Sequence, residues 1–348
     1  MPNPFTLSFG KSPLENISRI VQINTILDAF RSEPINQQIY MITGVRGSGK
    51  TVLLTEVENR LETDDDWIVV ELNPTADLLL GLAAKLSNHQ QCAEIFRRAK
   101  INLSFFGLGL SVSGEPPITD LETAIARMLG SLKKQNKRVL VAIDEVTSNE
   151  HVRVFSAAFQ ILIRQELPLF LLMTGLYENI EDLQNEKNLT FLYRTPKIKL
   201  GPLNMAAIMS RYRSLFHLSD PDAIAMAKLT NGYPFAFQAL GFLTWEHDGN
   251  FREVTEDYRR YLEEYVYDKL WSELSPKDRQ IVYGIAHSKT GEVREIREYL
   301  HLTSDQLSPY RARLIRKGIV DGDERGKLAF TLPLFDQYAL TRQAFEEQ

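Results

Sequence analysis

Eight consecutive residues carry the sharpest chemical signal in the chain: Gly44, Val45, Arg46, Gly47, Ser48, Gly49, Lys50 and Thr51. They fit the spacing G-x-x-x-x-G-K-[ST] at every fixed position. Glycines there let successive backbone N–H groups turn inward into an anion-binding nest, where a side chain would collide with phosphate. A helix beginning near Lys50 adds the positive end of its dipole. Lys50 is then placed to reach the β- and γ-phosphates of a nucleoside triphosphate, and the Thr51 hydroxyl to ligate Mg²⁺. A glycine-rich turn that matches by accident has a probability of roughly one per cent in a chain of this length.

Such a loop calls for an acidic residue at the end of a neighbouring apolar strand. Residues 139–143, Val-Leu-Val-Ala-Ile, run into Asp144-Glu145. Asp144 is expected to hold the Mg²⁺ hydration shell, and Glu145 to orient and activate the attacking water. Alone, an Asp-Glu pair after a strand is more simply a solvated turn; with the loop, the catalytic assignment is favoured. The base is expected to be adenine. A guanine reader would carry Asn-Lys-x-Asp, whereas Asn136-Lys137 is followed by Arg138-Val139, and Thr147 stands where a glycine would follow the metal aspartate. ATP and ADP are therefore the expected ligands.

The elements that must hold these residues alternate. Strand patterns at 39–43, 67–72, 139–143, 169–174 and 198–200 are separated by helical periodicity at 52–61, 77–86, 92–99, 119–134 and 152–165, which predicts a parallel α/β sheet. The segment 101–114 alternates around central glycines and predicts an inserted β-hairpin, with Leu103, Phe105, Leu108, Leu110 and Val112 on its apolar face. Gly201-Pro202 breaks the pattern. Helical spacing then follows at 205–216, 221–229, 234–245 and 255–270. Beyond Trp271, three helical segments (277–286, 292–300 and 309–317) precede two short strands at 319–321 and 327–332, the order of a winged helix. Three domains result: an ATPase core over 1–200, a helical lid over 201–265 and a winged helix over 266–348.

Composition sets outer bounds. The chain has 348 residues and a formal charge of −5, so any nucleic-acid contact has to be local rather than general. No apolar run approaches the roughly 18 residues a bilayer requires, and the N-terminus lacks a signal-peptide pattern, so no membrane partner is expected. One cysteine, Cys92, excludes an internal disulfide and a cysteine-rich metal site, and a cytoplasmic location is expected. The six histidines show no metal-ligand spacing, no G-x-S-x-G elbow occurs, and Gly107-Leu108-Gly109 lacks the third glycine of a dinucleotide fingerprint.

With these motifs placed, the chain resembles the AAA+ and STAND ATPases, specifically archaeal-type ATPases related to origin-recognition proteins. The resemblance covers nearly the whole chain in the order P-loop, acidic strand end, helical lid, winged helix. It implies an α/β P-loop core whose parallel sheet has helices on both faces, followed by an all-α lid and a C-terminal winged helix. It further implies a polar sensor at the end of the next strand, here Thr174, although a strand-end threonine also caps turns. An arginine acting from a neighbouring subunit is matched by Arg194, with a local salt bridge as its alternative. Arg19 stands where STAND proteins carry an entry arginine, without the flanking Gly and Glu. Pro234, in Asn231-Gly232-Tyr233-Pro234, is similar to the Gly-x-Pro proline that packs near nucleotide; a helix end and a helix start explain the same residues. No arginine of a second lid sensor is found.

In the last segment, Ser308 is expected to cap a recognition helix with Pro309 at its first position and Leu314 and Ile315 toward the core. Arg311, Arg313, Arg316 and Lys317 are its candidate contacts to double-stranded DNA, with Arg313, Arg316 and Lys317 on one face. Residues 266–348 hold 13 Lys and Arg against 13 Asp and Glu, so a protein partner or self-association is the alternative. The expectation is an ATP-dependent molecular switch, slow in turnover, whose nucleotide state controls the winged helix.

Overall fold

The computed structural model describes residues 2–7 and 13–346, and the chain divides into two compact units. A sheet unit comprises Arg19–Thr43 and Lys50–Lys199. A helical unit comprises Gly44–Gly49, the residues from Leu200 onward and the N-terminal segment through Ser18.

In the sheet unit, β1 (Ile39–Thr43), β2 (Trp67–Glu71), β3 (Arg138–Ile143), β4 (Leu169–Gly175) and β5 (Lys197–Lys199) form a parallel sheet in the order β2-β3-β4-β1-β5. Every residue of β1 and β4 is buried, as apolar runs covered on both faces should be. The covering helices are α1 (Ile20–Arg31), α2 (Lys50–Glu62), α3 (Leu78–Asn88), α4 (Gln90–Arg98), α5 (Leu121–Lys133), α6 (Glu150–Arg164), α7 (Tyr177–Gln184) and the single turn α8 (Thr190–Tyr193). Asp77, Asp120 and Asn149 each cap the N-terminus of the helix that follows through a side-chain oxygen. Because β4 lies between β1 and β3, the ends of three adjacent strands bring Thr43, Thr174 and Ile143 close together.

The expected hairpin at 101–114 is absent. The segment contains one 3-10 turn, Ser104–Phe106, and folds back so that the Leu103 amide donates to the Leu110 carbonyl at 2.7 Å. Asn102 ties it down, its side-chain amide donating to the Glu115 carbonyl at 2.7 Å and its carbonyl accepting from Ile118. Ile101, Leu103, Leu110 and Ile118 are buried in the sheet unit's core with Cys92 and Phe96. Apolar alternation there reflects a loop pressed onto α4 and α5, and not a strand pair. Phe105 alone of the predicted apolar face stands well exposed, at 61%.

The helical unit contains α9 (Met205–Phe216), α10 (Asp220–Lys228), α11 (Pro234–Glu246), α12 (Thr255–Leu262), a π turn at Glu263–Tyr267, α13 (Asp268–Ser272), α14 (Pro276–His287), α15 (Val293–Leu300), α16 (Ser304–Arg316), the antiparallel pair β6 (Val320–Asp321) and β7 (Ala329–Phe330), and α17 (Phe335–Glu346). One hydrophobic cluster runs from Phe5, Tyr212 and Phe237 through Tyr258 and Tyr267 to Leu314, Phe335 and Tyr338. At its middle the Tyr267 hydroxyl donates to the Pro333 carbonyl, and the Tyr267 ring meets Phe335 edge-on at 5.0 Å.

Two local expectations are corrected here. Helix α16 begins at Ser304 rather than near Ser308: Thr303 and Gln306 form a reciprocal capping box, so Pro309 lies inside the helix. Leu314 is buried but its neighbour Ile315, about 100° further round the helix, is 37% exposed. The terminal helix α17, packed on α14 through Phe335, Tyr338 and Ala339, has weak apolar periodicity and was not expected.

Candidate functional site

The glycine-rich loop needs backbone that only glycine adopts readily. Gly47 sits at φ +71° and Gly49 at +86°. A Cβ on Gly47 would stand 2.3 Å from the Tyr233 hydroxyl and 3.0 Å from Phe235 Cβ, so crowding excludes a side chain there as well as torsion. The Ser48 amide closes a turn onto the Val45 carbonyl at 3.2 Å. Arg46 Nε is buried with no hydrogen-bond partner among the described residues, a group that an anionic oxygen would satisfy. Lys50 opens α2 and is 8% exposed.

Within the sheet unit, four residues named from sequence meet at one carboxylate. The Thr51 hydroxyl donates to Asp144 Oδ2 at 2.7 Å, and the Thr174 hydroxyl, fully buried at the end of β4, donates to Asp144 Oδ1. The Glu145 amide lies 3.1 Å from Asp144 Oδ1 and 3.2 Å from Thr174 Oγ1. Glu145 holds a left-handed φ of +53°, a costly conformation for a side-chain-bearing residue, and its carboxyl is exposed. Thr51 and Asp144 therefore offer two hard oxygens side by side, the donor type a small divalent cation takes. No group of three or more His, Cys, Asp or Glu among the described residues could hold a metal by itself, so such an ion would complete its shell with phosphate and water.

Other candidates lie elsewhere. Pro234 is the first residue of α11, and α11 meets the loop through its neighbours. The Tyr233 hydroxyl donates to the Arg46 carbonyl at 2.6 Å, and the Phe235 amide to the Gly47 carbonyl at 3.2 Å. Burial pushes the Tyr233 phenol well above its ordinary range, so it stays a neutral donor. Arg19 is the N-cap of α1, half-buried, with burial lowering its affinity for a proton and the nearby Tyr177 opposing this. Arg194 caps the single turn α8 and is exposed. Among the described residues its guanidinium makes no ion pair or hydrogen bond, so the local salt bridge weighed for it is not formed.

Arg311, Arg316 and Lys317 lie at the exposed or half-exposed end of α16. Arg313 is engaged within the fold. Its guanidinium donates to Asp278 Oδ1 at 2.8 Å and approaches Ser275 Oγ at 3.3 Å, and it stacks over Tyr310 at 5.0 Å. Asp278 is 2% exposed because it completes the capping box of α14 with Ser275, and a carboxylate so placed requires a counter-charge.

Sequence reasoning missed Glu58. It lies on α2, seven residues beyond Thr51, where burial, with Glu71, Glu62 and Asp144 nearby, raises its carboxyl from the ordinary 4.5 to about 7. Its helical spacing from Thr51 was visible, but the convergence of carboxylates from two strands was not. It also passed over Tyr233, which lies within Asn231–Pro234 with a polar tip on an aromatic ring as its only mark. Cys92 is buried, and its thiol is pushed up to about 12 by burial, so it is inert.

The profile of an ATPase domain predominantly from Archaea matches residues 17–191, half of the chain, and that of a domain of unknown function (DUF8462) matches residues 264–339. The Walker-type ATPase PABY2304 of Pyrococcus abyssi superposes with a TM-score of 0.69 at 16% identity, covering 93% of this chain and 96% of that one. The ORC2 protein of Aeropyrum pernix, solved as ADPNP–ADP complexes, superposes with a TM-score of 0.58 at 15% identity, covering 97% and 98%. Among curated proteins no sequence is significantly similar. No helix of the described residues is long and apolar enough to cross a membrane.

Proposed function

The chain belongs to the family of ATPase domains predominantly from Archaea, and we propose that it is an ATP-driven switch in the cytoplasm whose nucleotide state is passed to a C-terminal winged-helix module that binds duplex DNA. Lys50 meets the β- and γ-phosphate oxygens of ATP as the loop amides surround them. Thr51 and Asp144 hold Mg²⁺, which when bound neutralises phosphate charge. Thr174 keeps the Asp144 carboxylate turned toward Thr51 and orients the Glu145 amide. Glu145 takes a proton from water as the water oxygen bonds to the γ-phosphorus and the bond to the β–γ bridging oxygen breaks, leaving ADP and phosphate. Arg194, exposed and unpaired among the described residues, meets the γ-phosphoryl charge on a neighbouring subunit.

The observation that carries the switch is the single hydrophobic cluster shared by α11 and α14–α17. Helices packed into one core shift together, since packed interiors transmit displacement rather than absorb it. The lid then carries the output helices with it when nucleotide binds at the glycine-rich loop, which belongs to the same unit. Duplex DNA is supported by Arg311, Arg316 and Lys317 gathered on α16, with Arg325 on the following turn. The even charge balance of residues 266–348 favours the second reading, a protein partner or a second copy as in STAND switches.

The test is duplex binding by the full chain with ATP, with ADP and without nucleotide, across a salt series. Affinity should fall steeply with salt, and Arg311→Glu with Arg316→Glu should weaken it more than tenfold, because phosphate contacts release counterions. Absence of salt-sensitive duplex binding in every nucleotide state would move the output to a protein partner.

A further inference from the structure

The phosphate loop is hydrogen-bonded to the start of α11 at two successive peptide units. The Tyr233 hydroxyl donates to the Arg46 carbonyl at 2.6 Å, and one residue on, the Phe235 amide donates to the Gly47 carbonyl at 3.2 Å. In a trans peptide the N–H points opposite the C=O, so holding the Arg46 carbonyl toward Tyr233 directs the Gly47 amide the other way. Tyr233 is 3% exposed and sits in the same hydrophobic cluster as Tyr258, Tyr267 and Phe237, so that cluster holds its ring in place. Gly47 has room for no side chain because the tyrosine hydroxyl occupies that space.

We propose that Tyr233 is a positioning residue for phosphate: its hydroxyl fixes the curvature of residues 46–48, presents the Gly47 amide to the nucleotide phosphates, and makes the start of α11 the element that registers whether they are bound. This rests on the nucleotide-binding reading of the loop and deepens it by naming the atom through which the loop and the helical core are linked. The link is through the phosphates and not the base, because both hydrogen bonds end on loop carbonyls. A phosphate that tightens the nest strengthens both bonds, and without phosphate the same two bonds still hold the Arg46 and Gly47 carbonyls toward α11.

Tyr233→Phe in the full chain keeps the ring and deletes the hydroxyl. The expected result is an affinity for ATP and for ADP lowered about two- to tenfold, the range for one net hydrogen bond, with the affinity for adenosine unchanged. Gly47→Ala, whose methyl would take the hydroxyl's place, should give the same phosphate-dependent loss, and the two changes combined should lose less than their product. Unchanged ATP and ADP affinities in both variants, or an equal loss for adenosine, would overturn the assignment. Wild-type binding of ATP in the same titration tests the nucleotide reading separately.

Discussion

Asp144 accepts hydrogen bonds from two hydroxyls on two different elements, Thr51 at the start of α2 and Thr174 at the end of β4, and this fixes which way its carboxylate faces. Chemistry at such a centre divides between residues that bind and a residue that moves a proton. Lys50→Ala removes the buried ammonium of the loop and should abolish ATP binding, as read by nucleotide titration. Glu145→Gln keeps the backbone and the shape but cannot take a proton. It should bind ATP like wild type and hydrolyse it about 10²- to 10⁴-fold more slowly in a phosphate-release assay. Turnover at the wild-type rate would return Glu145 to an ordinary strand-end residue. Glu58 makes a separate, pH-dependent prediction. Burial, then its carboxylate neighbours, raise its folded value from 4.5 to about 7, so ionisation is disfavoured in the folded chain. Its contribution to stability is complete below pH 4.5 and is lost as pH rises through about 7. Glu58→Gln should therefore flatten the decline in thermal midpoint between those values and melt higher than wild type above pH 7; parallel curves would show the raised value to be wrong. The loop and Asp144 were legible because their residue types and spacing are dictated by phosphate and metal chemistry. Glu58 and Tyr233 were not, since a helical glutamate or a lid tyrosine acquires meaning only from what folding sets beside it.

Elements were legible where period and apolarity agreed. All five parallel strands lie within two residues of their expected bounds because each is an apolar run stopped by polar or turn residues. Period misled where a loop was as apolar as a strand. Residues 101–118 owe their alternation to burying Ile101, Leu103, Leu110 and Ile118 while backbone and Asn102 bonds close the loop. The segment is thus part of the core and should not be replaceable by a linker. Leu103→Ala should cost about 2–5 kcal/mol in denaturant unfolding, the range for a fully buried leucine. A loss under ~0.5 kcal/mol would restore the segment as a dispensable insertion. Helix α16 was misplaced at its start because Pro309 reads as a first-turn residue, whereas the Thr303–Gln306 capping box satisfies the end five residues earlier. The same helix divides its arginines. Arg313→Ala strands the buried Asp278 carboxylate and should lower thermal stability, while Arg316→Ala, at an exposed position, should change it little. Equal effects would mean that the Arg313–Asp278 pair does not brace α16 on α14.

At the scale of the whole molecule, each unit has its own hydrophobic core, and the chain crosses between them after Ser18, on either side of the glycine-rich loop and before Leu200. Gly201-Pro202 marks a break in the sequence pattern, but the sequence could not show that residues of α11 and of α14–α17 share a core, because helical period says which face is buried and not against what. Arg194 and its neighbour Tyr193, which is 72% exposed, together leave an arginine and an aromatic ring on the surface of the sheet unit, with no charged partner for the arginine among the described residues. A guanidinium left in water gains little there, but against the γ-phosphoryl oxygens of a second copy it would supply charge where negative charge develops. If Arg194 works in this way, ATPase activity per chain should rise with protein concentration, since only paired chains have a complete site. Arg194→Ala chains, with an intact Glu145 but no arginine to lend, and Glu145→Gln chains, with an arginine but no base, should each be poor alone. Mixed, an Arg194→Ala chain receives its arginine from a Glu145→Gln partner, so part of the activity should return. Specific activity that is flat over a hundredfold dilution, with no recovery on mixing, would confine Arg194 to the surface of its own chain.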